Sequence, residues 1–278
     1  MTVDFTLDPS LELGKHSSYI NQYDASTLFP ITRKEKRLEI GIDNELPFYG
    51  YDIWNHYEVS CLNLKGKPMV FLAMIRYDCH SPCIIESKSM KLYFNTFNNS
   101  RFADTNTLAD IIQHDISSRV QATTEVSLYP LHQAAFFEHI ADFNGRCLDE
   151  LDICLDSFEL NPSVLTTSNT MVDDRVFSHL LKSNCLVTRQ PDWGSVFIHY
   201  QGPQIIDESL LKYIVSFRDH NEFHEQCIER IFVDIMRHCK PKMLTVYGRY
   251  TRRGGLDINP IRSTEKDIKV PLLRLIRQ

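Results

Sequence analysis

The stretch "SVFIHYQGPQIIDESLLKYIVSF", residues 195–217, carries the pattern that decides the fold. Its apolar first part predicts a strand over 195–200 that ends in a turn at Gly202. The remainder predicts a helix over 208–217, because apolar residues recur there at helical spacing. A second helix over 222–239 and a strand over 243–250 follow. A strand, two helices and a returning strand are typical of an α+β module.

The same order of elements occurs in the first half of the chain. The pattern predicts a hairpin, a helix over 87–98, a helix that begins near a Thr107–Asp110 cap, and a strand over 126–129. "KLYFNTF" (91–97) precedes the break between these helices as "KYIVSF" (212–217) does in the second half. "VSLY" (126–129) likewise parallels "LTVY" (244–247). A repeat of roughly 120 residues predicts two α+β modules rather than a solenoid.

The repeat predicts four regions along the chain. They are an N-terminal extension (1–45), a first module (46–140), a connecting region (141–180) and a second module (181–278), which contains the candidate catalytic residues discussed below.

Composition excludes several classes of partner. The chain has 278 residues, 43% hydrophobic content and a net charge of -6. This charge gives no general attraction for nucleic acid or for an anionic membrane. The first residues are not a basic stretch followed by an apolar one, and no apolar run is long enough for a span, so a cytoplasmic protein is expected. Eight scattered cysteines are expected to be reduced thiols.

"SNCLVTRQPDWGS" (183–195) places Cys185 among polar residues, with Asp192 seven positions later. A cysteine becomes a nucleophile as the thiolate, and Arg189 can favour that form. Asp192 can then donate or accept a proton. The alternative is a structural thiol and a carboxylate that caps a loop, although the polar neighbours make an apolar pocket around Cys185 unexpected.

"HNEFHEQC" (220–227) places His224 and Glu225 in the first turn of a predicted helix that Asn221 can cap. A helix N-terminus favours anionic side chains, so Glu225 is expected to be ionised. An ionised carboxylate accepts two parallel hydrogen bonds from a guanine-like edge. The alternative is an ordinary solvated helix start.

Two basic stretches are candidates for phosphate binding. "ESKSMKLYF" (86–94) carries Lys88 and Lys91 at a strand-to-helix junction, where backbone N–H groups are also free. "RYTRRGGLDINP" (249–260) carries Arg252 and Arg253 before a glycine pair that suits a tight connection. The alternatives are an amphipathic helix start and a charged hairpin tip.

"DCHSPC" (78–83) contains Cys79, His80 and Cys83, which are possible zinc ligands, but no second pair follows at zinc-finger spacing. Zinc is therefore not expected. No GxGxxG occurs in the chain, so any nicotinamide cofactor must bind without that glycine-rich loop.

Four stretches together resemble one known family. They are "ESKSMKLYFNTFN", "LLKSNCLVTRQPDWGS", "SFRDHNEFHEQCIERIF" and "YTRRGGLDINP". They resemble the NADPH-dependent 7-cyano-7-deazaguanine reductases of queuosine biosynthesis, in their longer two-module form, and the resemblance covers nearly the whole chain. It implies two tandem tunnelling-fold modules that assemble into barrels, a purine-like ligand anchored by a carboxylate, and a homodimer.

The resemblance also implies a role for individual residues. Cys185 becomes the nucleophile, and Asp192 becomes the proton donor, with a pKa that we expect to be raised. Substrate recognition falls on Ile85, Glu86, Ser87, His224 and Glu225. NADPH contacts fall on Ser87, Lys88, Arg253 and Gly254. No metal is implied.

The implied reaction reduces the nitrile of 7-cyano-7-deazaguanine to an aminomethyl group with two NADPH, through a covalent cysteine thioimide. Two alternatives stay open: a zinc-dependent pterin or purine hydrolase of the same fold, and a non-catalytic purine-binding barrel protein. A further hypothesis is a reversible disulfide between Cys185 and Cys227 under oxidation. Its alternative is that Cys227 is a core thiol.

Overall fold

The computed structural model describes residues 20–136, 139–155, 157–271 and 273–278. Residues 1–19 of the predicted N-terminal extension lie outside the described residues. Within the described ranges the α-helices are α1 (Lys34–Glu39), α2 (Ser87–Thr96), α3 (Thr105–Val120), α4 (Asp207–Val215) and α5 (His224–Cys239).

The strands, in chain order, are β1 (Pro30–Thr32), β2 (Tyr49–Asn63), β3 (Pro68–Asp78), β4 (Cys83–Ile85), β5 (Arg101–Phe102), β6 (Thr124–Pro130), β7 (His139–Ile140), β8 (Arg146–Cys147), β9 (Thr167–Ser178), β10 (Lys182–Asn184), β11 (Pro191–Ile205), β12 (Met243–Tyr250), β13 (Leu256–Ser263) and β14 (Leu273–Arg274).

Ten of these strands form one large sheet. Its main order is β6-β3-β2-β13-β12-β11-β9-β8, with β5 beside β2 and β10 beside β11. The pairs are antiparallel except β2 with β5 and β8 with β9. The chain is therefore of the α+β class, as predicted. The two halves of the chain meet at the β2–β13 pair, which runs from Tyr49 opposite Ser263 to His56 opposite Leu256.

Each half of the chain follows the predicted order. The first has the β2–β3 hairpin, the helices α2 and α3, and the returning strand β6. The second has strand β11, the helices α4 and α5, and the returning strands β12 and β13. Strand β9, which was not predicted, pairs with β11 and completes a hairpin-like pair in this half. The hairpin strands are consecutive neighbours in the sheet, and the helix pair is inserted between the second and third long strands in both halves.

The helices cover one face of the sheet. In the second half, apolar side chains of α4 and α5 pack on alternate residues of β11 and β12, and α2 and α3 pack in the same way on β2 and β3 in the first half. A third, smaller apolar cluster lies around Ile53, Phe177, Tyr247 and Ile261. Because side chains alternate across a strand, these residues belong to the helix-free face.

The structure corrects several details of the sequence-based prediction. Gly202 is not a turn, since β11 continues through it to Ile205 and pairs Gly202 with Val172. Asp104, rather than a Thr107–Asp110 pair, caps α3, because its side chain accepts from the Thr107 N–H. Within the described ranges no side chain caps α5, and Asn221, the predicted cap, instead lies in a bridge to Asn184.

Candidate active site

One pocket brings together most of the predicted site residues. It lies where the two halves of the chain meet, and its volume of about 300 Å³ includes the open solvent at its mouth. Its lining consists of Ile85, Ser87, Cys185, Asp192, Phe223, His224, Glu225, Arg253 and Ile258. These side chains come from both halves, because Ile85 and Ser87 flank the β4–α2 junction while the others follow residue 184. Neither half therefore contains the pocket alone.

A hairpin positions Cys185. Strands β10 and β11 pair so that Ser183 lies opposite Asp192, and Cys185 begins the connecting loop. The Cys185 N–H donates to the Gln190 carbonyl (2.8 Å), and the Arg189 N–H donates to the Cys185 carbonyl (3.0 Å). These bonds turn Cys185 inward to 6% exposure. The pocket around Cys185 is not apolar, in line with the sequence-based expectation, because Asp192, His224 and Arg253 line it as well.

Asp192 is nearly buried and is flanked by two basic side chains. Arg253 donates an N–H to Asp192 Oδ1, and His224 Nε2 lies 3.5 Å from Asp192 Oδ2. Burial alone would raise the pKa of Asp192, but His224 and Arg253 together outweigh burial and hold that pKa below its ordinary value. The expectation of a raised pKa for Asp192 is corrected: in the free protein this carboxyl is ionised at neutral pH.

Glu225 shows the opposite behaviour. Its carboxylate is buried, and Oε1 has no hydrogen-bond partner among the residues that the structure describes. Burial and the nearby Asp52 carboxylate raise the pKa of Glu225 to about 7, although His224 and Arg33 oppose this shift. The expectation of an ionised Glu225 at the helix start was therefore wrong in degree, because desolvation exceeds the favourable effect of the helix N-terminus.

Tyr250 supports His224. The His224 and Tyr250 ring centroids are 4.0 Å apart, and the rings are tilted by 37°. Tyr250 itself is packed tightly, since a Cβ at Gly194 would lie 3.0 Å from its ring. The imidazole therefore sits on a fixed aromatic surface with one nitrogen directed at Asp192.

A second pocket adjoins the first and shares four of its lining residues. It is lined by Trp54, Ser87, Lys91, His224, Thr251, Arg253, Leu256, Asp257 and Ile258. Lys91 and Arg253 place two cations on its wall. Gly254 has a left-handed backbone (φ +60°), and a Cβ there would lie 3.0 Å from Lys91 Cδ. A residue larger than glycine would therefore crowd Lys91 as well as strain the turn.

Three predicted site residues line neither pocket, namely Glu86, Lys88 and Gly254. Glu86 is fully buried, and its carboxylate accepts the backbone N–H groups of Lys88 (2.8 Å) and Ser89 (2.6 Å) at the start of α2. In this arrangement Glu86 is a helix cap. Burial raises the pKa of Glu86 despite these bonds. Lys88 is partly exposed on the first turn of α2.

Sequence reasoning missed Phe223 and Ile258 as pocket residues, and it did not select Lys91 over Lys88. The helical spacing could have indicated Lys91, because a residue one turn after Ser87 lies on the same face of the helix as Ser87. Phe223 and Ile258 carried no such signal, since apolar residues at those positions equally suit the core. Arg252 is directed away: it lies over the Tyr57 ring (4.3 Å) and donates to the Gln278 carbonyl (2.9 Å).

The possible zinc ligands lie outside both pockets. Asp78, Cys79 and His80 hold ligand atoms within 4.8 Å of one another, whereas Cys83 is not part of this group. Burial raises the pKa of Cys79 to about 12, which disfavours the thiolate that binds metal.

Cys227 is fully buried in the core, and burial raises its pKa to about 12. This environment favours the core-thiol alternative over the Cys185–Cys227 disulfide hypothesis.

In the described part of the chain, no helix combines the length and apolar character that crossing a membrane requires.

Two family models match the chain. "Nitrile reductase, 7-cyano-7-deazaguanine-reductase N-term" matches residues 19–128, and "QueF-like protein" matches residues 191–269. Together they include the α2 start, Asp192, the α5 start and the β12–β13 connection. Among solved structures, an archaeosine synthase QueF-Like in the apo form covers 34% of this chain and 94% of its own, at 16% identity and a TM-score of 0.30.

Proteins named NADPH-dependent 7-cyano-7-deazaguanine reductase match nearly the full chain. The protein from Legionella pneumophila (strain Lens) is 58% identical over 269 residues, covering 96% of this chain and 94% of its own. The one from Hydrogenovibrio crunogenus is 50% identical over 275 residues, covering 98% of each chain. The one from Polaromonas sp. is 52% identical over 270 residues, covering 96% and 98%. At this identity and coverage, the chain belongs to the family of NADPH-dependent 7-cyano-7-deazaguanine reductases.

Proposed function

We propose that this chain reduces the nitrile of 7-cyano-7-deazaguanine to an aminomethyl group with two NADPH, as a step of queuosine biosynthesis. The relatives' names state both the substrate and the NADPH dependence. The observation that carries the proposal is the shared pocket, in which a cysteine, an ionised aspartate and a buried glutamate face the same space. One oxygen of this glutamate has no hydrogen-bond partner among the residues that the structure describes.

Glu225 would recognise the guanine-like edge of the substrate. That edge offers an N–H and an amino group side by side, and an ionised carboxylate accepts both. The partnerless Oε1 supports this role, because a buried acceptor without a hydrogen bond is costly unless a ligand supplies the donor. Ile85, Ser87 and His224 line the same pocket and complete the substrate-binding set, with Glu86 behind them as the cap of α2.

Cys185 and Asp192 would carry out the covalent step. Because Asp192 is ionised in the free protein, it can accept the thiol proton of Cys185 as Sγ attacks the nitrile carbon. Asp192 then returns this proton to the nitrile nitrogen. An S–H bond is broken, one π bond of the nitrile is lost, and S–C and N–H bonds form, giving the thioimide. Arg253 and His224 stabilise the Asp192 carboxylate before the first transfer and after the second.

The residues at the second pocket fit NADPH. Lys91 and Arg253 offer charge-assisted bonds to phosphate, and the left-handed Gly254 lets the backbone come close. Ser87 lies between the two pockets, and Lys88 is one residue further along α2. When bound, NADPH supplies the hydride that the thioimide carbon accepts. This hydride and a proton from solvent would convert the C=N of the thioimide to a C–N single bond. The C–S bond would then break to release the Cys185 thiolate and leave an imine, and a second NADPH with a further solvent proton would reduce that imine to the amine.

We also propose that the two halves are tandem tunnelling-fold modules and that two chains pair as a homodimer into a barrel. The repeated order of hairpin, helix pair and returning strand supports the modules. Residues 24–29 and 161–166 make matching contacts, since Phe29 N–H donates to Ser89 Oγ and Thr166 N–H donates to Ser209 Oγ. We therefore propose that each module begins upstream of residues 46 and 181. A cytoplasmic location, without a nucleic acid or membrane partner, remains our prediction.

The mass of the intact protein tests the covalent chemistry. After incubation with 7-cyano-7-deazaguanine and no NADPH, we expect the wild type to gain one substrate mass, and Cys185→Ala to gain none. Cys239→Ala, which removes another buried thiol, serves as the matched control and should form the adduct. If no adduct forms in any of the three while the nitrile is shown to bind, Cys185 is not the nucleophile. An adduct together with NADPH oxidation in the presence of the nitrile would exclude a non-catalytic binding protein.

A further inference from the structure

A buried carboxylate that the mechanism above does not use lies just before the substrate-binding helix. Glu222 is 1% exposed. It accepts two hydrogen bonds from the Arg230 guanidinium, at 2.9 Å from Nε and 2.7 Å from the terminal nitrogen. His220 Nε2 lies 3.0 Å from Glu222 Oε2. Despite the cost of burial, Arg230 and His220 lower the pKa of Glu222 to about 2. The carboxylate is therefore ionised throughout the neutral range.

The backbone of the same segment holds the nucleophile hairpin. The Glu222 N–H donates to the Asn184 carbonyl (3.0 Å), and the Asn184 N–H donates to the His220 carbonyl (2.8 Å). Asn184 and Asn221 face each other in a parallel bridge. Asn184 immediately precedes Cys185. The hairpin that carries the thiol is thus attached to the segment 220–222 by two backbone hydrogen bonds.

The segment 220–222 leads directly into the pocket. Phe223, His224 and Glu225 follow it without an intervening residue, and no side chain of the described residues caps α5. In place of a cap, the Glu222 carboxylate reaches Arg230 on the second turn of α5. A bidentate carboxylate–guanidinium pair fixes both distance and orientation. The pair therefore sets how the segment enters the helix, and with it the place of Asn184 and Cys185.

We infer that Glu222 is a positioning residue for thioimide formation: through Arg230 it fixes the Cys185 hairpin relative to a substrate held by Glu225. This inference rests on the function proposed above. Neither side chain lines the pocket, so the effect acts through the backbone. A displacement of about 1 Å at reacting atoms lowers a rate by roughly 100-fold. Substrate affinity should change much less, because Glu225 and the other lining residues remain.

The test uses Glu222→Gln in the full chain, with Asp115→Asn as the matched control. Asp115 is also a buried carboxylate that accepts two hydrogen bonds, from Tyr23 and Tyr93, but it lies in the first half and lines neither pocket. Arg230→Lys is a second variant, which keeps the charge and loses the two-point geometry. If Glu222→Gln does not fold, Arg230→Lys tests the positioning role in its place.

Two measurements are made on each protein. The first is the rate of adduct formation with saturating 7-cyano-7-deazaguanine, together with the half-saturating concentration. The second is the alkylation rate of each cysteine by iodoacetamide without substrate, followed by peptide mapping. For Glu222→Gln we expect the adduct rate to fall roughly 10- to 100-fold with little change in half-saturation. We expect Cys185 alkylation to rise while Cys227 and Cys239 keep the wild-type rate.

The outcomes separate this inference from the proposed function. An unchanged adduct rate in Glu222→Gln and Arg230→Lys, or an equal rise in alkylation at all buried cysteines, overturns the positioning role. An equal rise would show general loosening of the fold. A wild type that forms no adduct overturns the proposed function instead, and the alkylation pattern then still shows whether Glu222 holds the Cys185 hairpin.

Discussion

Two buried carboxyl groups in one pocket, Asp192 and Glu225, have pKa values shifted in opposite directions. Asp192 has the Arg253 guanidinium and the His224 imidazole beside it, and these outweigh burial. Glu225 is buried with a second carboxylate, Asp52, close enough to oppose its ionisation. Pairs of acids whose environments separate their pKa values commonly take different chemical roles. The ionised Asp192 can accept a proton, and Glu225 can bind a ligand that provides hydrogen-bond donors.

The pKa of Glu225 predicts how substrate affinity depends on pH. Below about pH 7 most free protein carries a neutral Glu225, and binding must first remove that proton. We therefore expect the Kd of the nitrile for Cys185→Ala, where no adduct forms, to weaken about tenfold between pH 8 and pH 6. Calorimetric titration of Cys185→Ala with the nitrile at several pH values measures this Kd. Adding Glu225→Gln should weaken binding and remove this pH dependence, and a Kd independent of pH in Cys185→Ala contradicts the assignment.

These pKa directions show what a sequence alone leaves undetermined. Motif and resemblance both point to Cys185, Asp192, His224 and Glu225, and the fold brings these four residues to one pocket, while their roles stay a prediction. The direction of the pKa shift of Asp192 and of Glu225 was not predicted correctly. Arg253 is 61 positions from Asp192 in the sequence, and Asp52, which affects Glu225, lies in the other half of the chain. Only the fold brings these charges together, and a local sequence window does not contain them.

At the scale of elements, the repeat visible in "KLYFNTF" and "KYIVSF" has a physical basis. Tyr93 donates its hydroxyl to Asp115 (2.7 Å), and Tyr213 donates to Asp234 at the same distance. Each bond ties the first helix of a pair to the second. Strand β9 was not predicted, because it is a mostly polar edge strand without the alternation that marks a half-buried strand.

The start of α2 allows two neighbouring lysines to be compared. Lys91 lines the second pocket and Lys88 does not, so Lys91 is the better placed of the two for an NADPH phosphate. Loss of one charge-assisted bond costs about 1.5–3 kcal/mol. We expect Lys91→Ala to raise the KM for NADPH roughly 10- to 100-fold, and Lys88→Ala to raise it less. Steady-state kinetics at saturating nitrile measure both.

Adduct formation without NADPH provides the control for these two variants. Its half-saturating nitrile concentration should stay near the wild-type value in Lys91→Ala and Lys88→Ala, because neither lysine lines the substrate pocket. An equal loss of nitrile and NADPH affinity would assign Lys91 to the substrate instead.

At the scale of the whole molecule, the large sheet has two open edges. Among the described residues, β6 pairs only with β3, and the part of β9 over 167–175 pairs only with β11. Unpaired edge strands expose backbone donors and acceptors that a second chain can satisfy. In a symmetric dimer, β6 of each chain would pair with β9 of the other chain. These two pairings would close the two open sheets into one barrel. This geometry supports the proposed homodimer.

A charge on the β9 edge tests this assembly. Met171 lies on β9 with 69% of its surface exposed, and Leu64 at the β2–β3 turn is similarly exposed at 62%. In the proposed dimer Met171 becomes buried and Leu64 does not. Burying an unpaired carboxylate costs about 3 kcal/mol or more, so Met171→Glu should weaken association at least roughly 100-fold, whereas Leu64→Glu should leave it unchanged. Sedimentation velocity over a dilution series distinguishes two chains from one. A wild type that sediments as a single chain, or a Met171→Glu variant that remains paired, would show that β9 is not the joining edge.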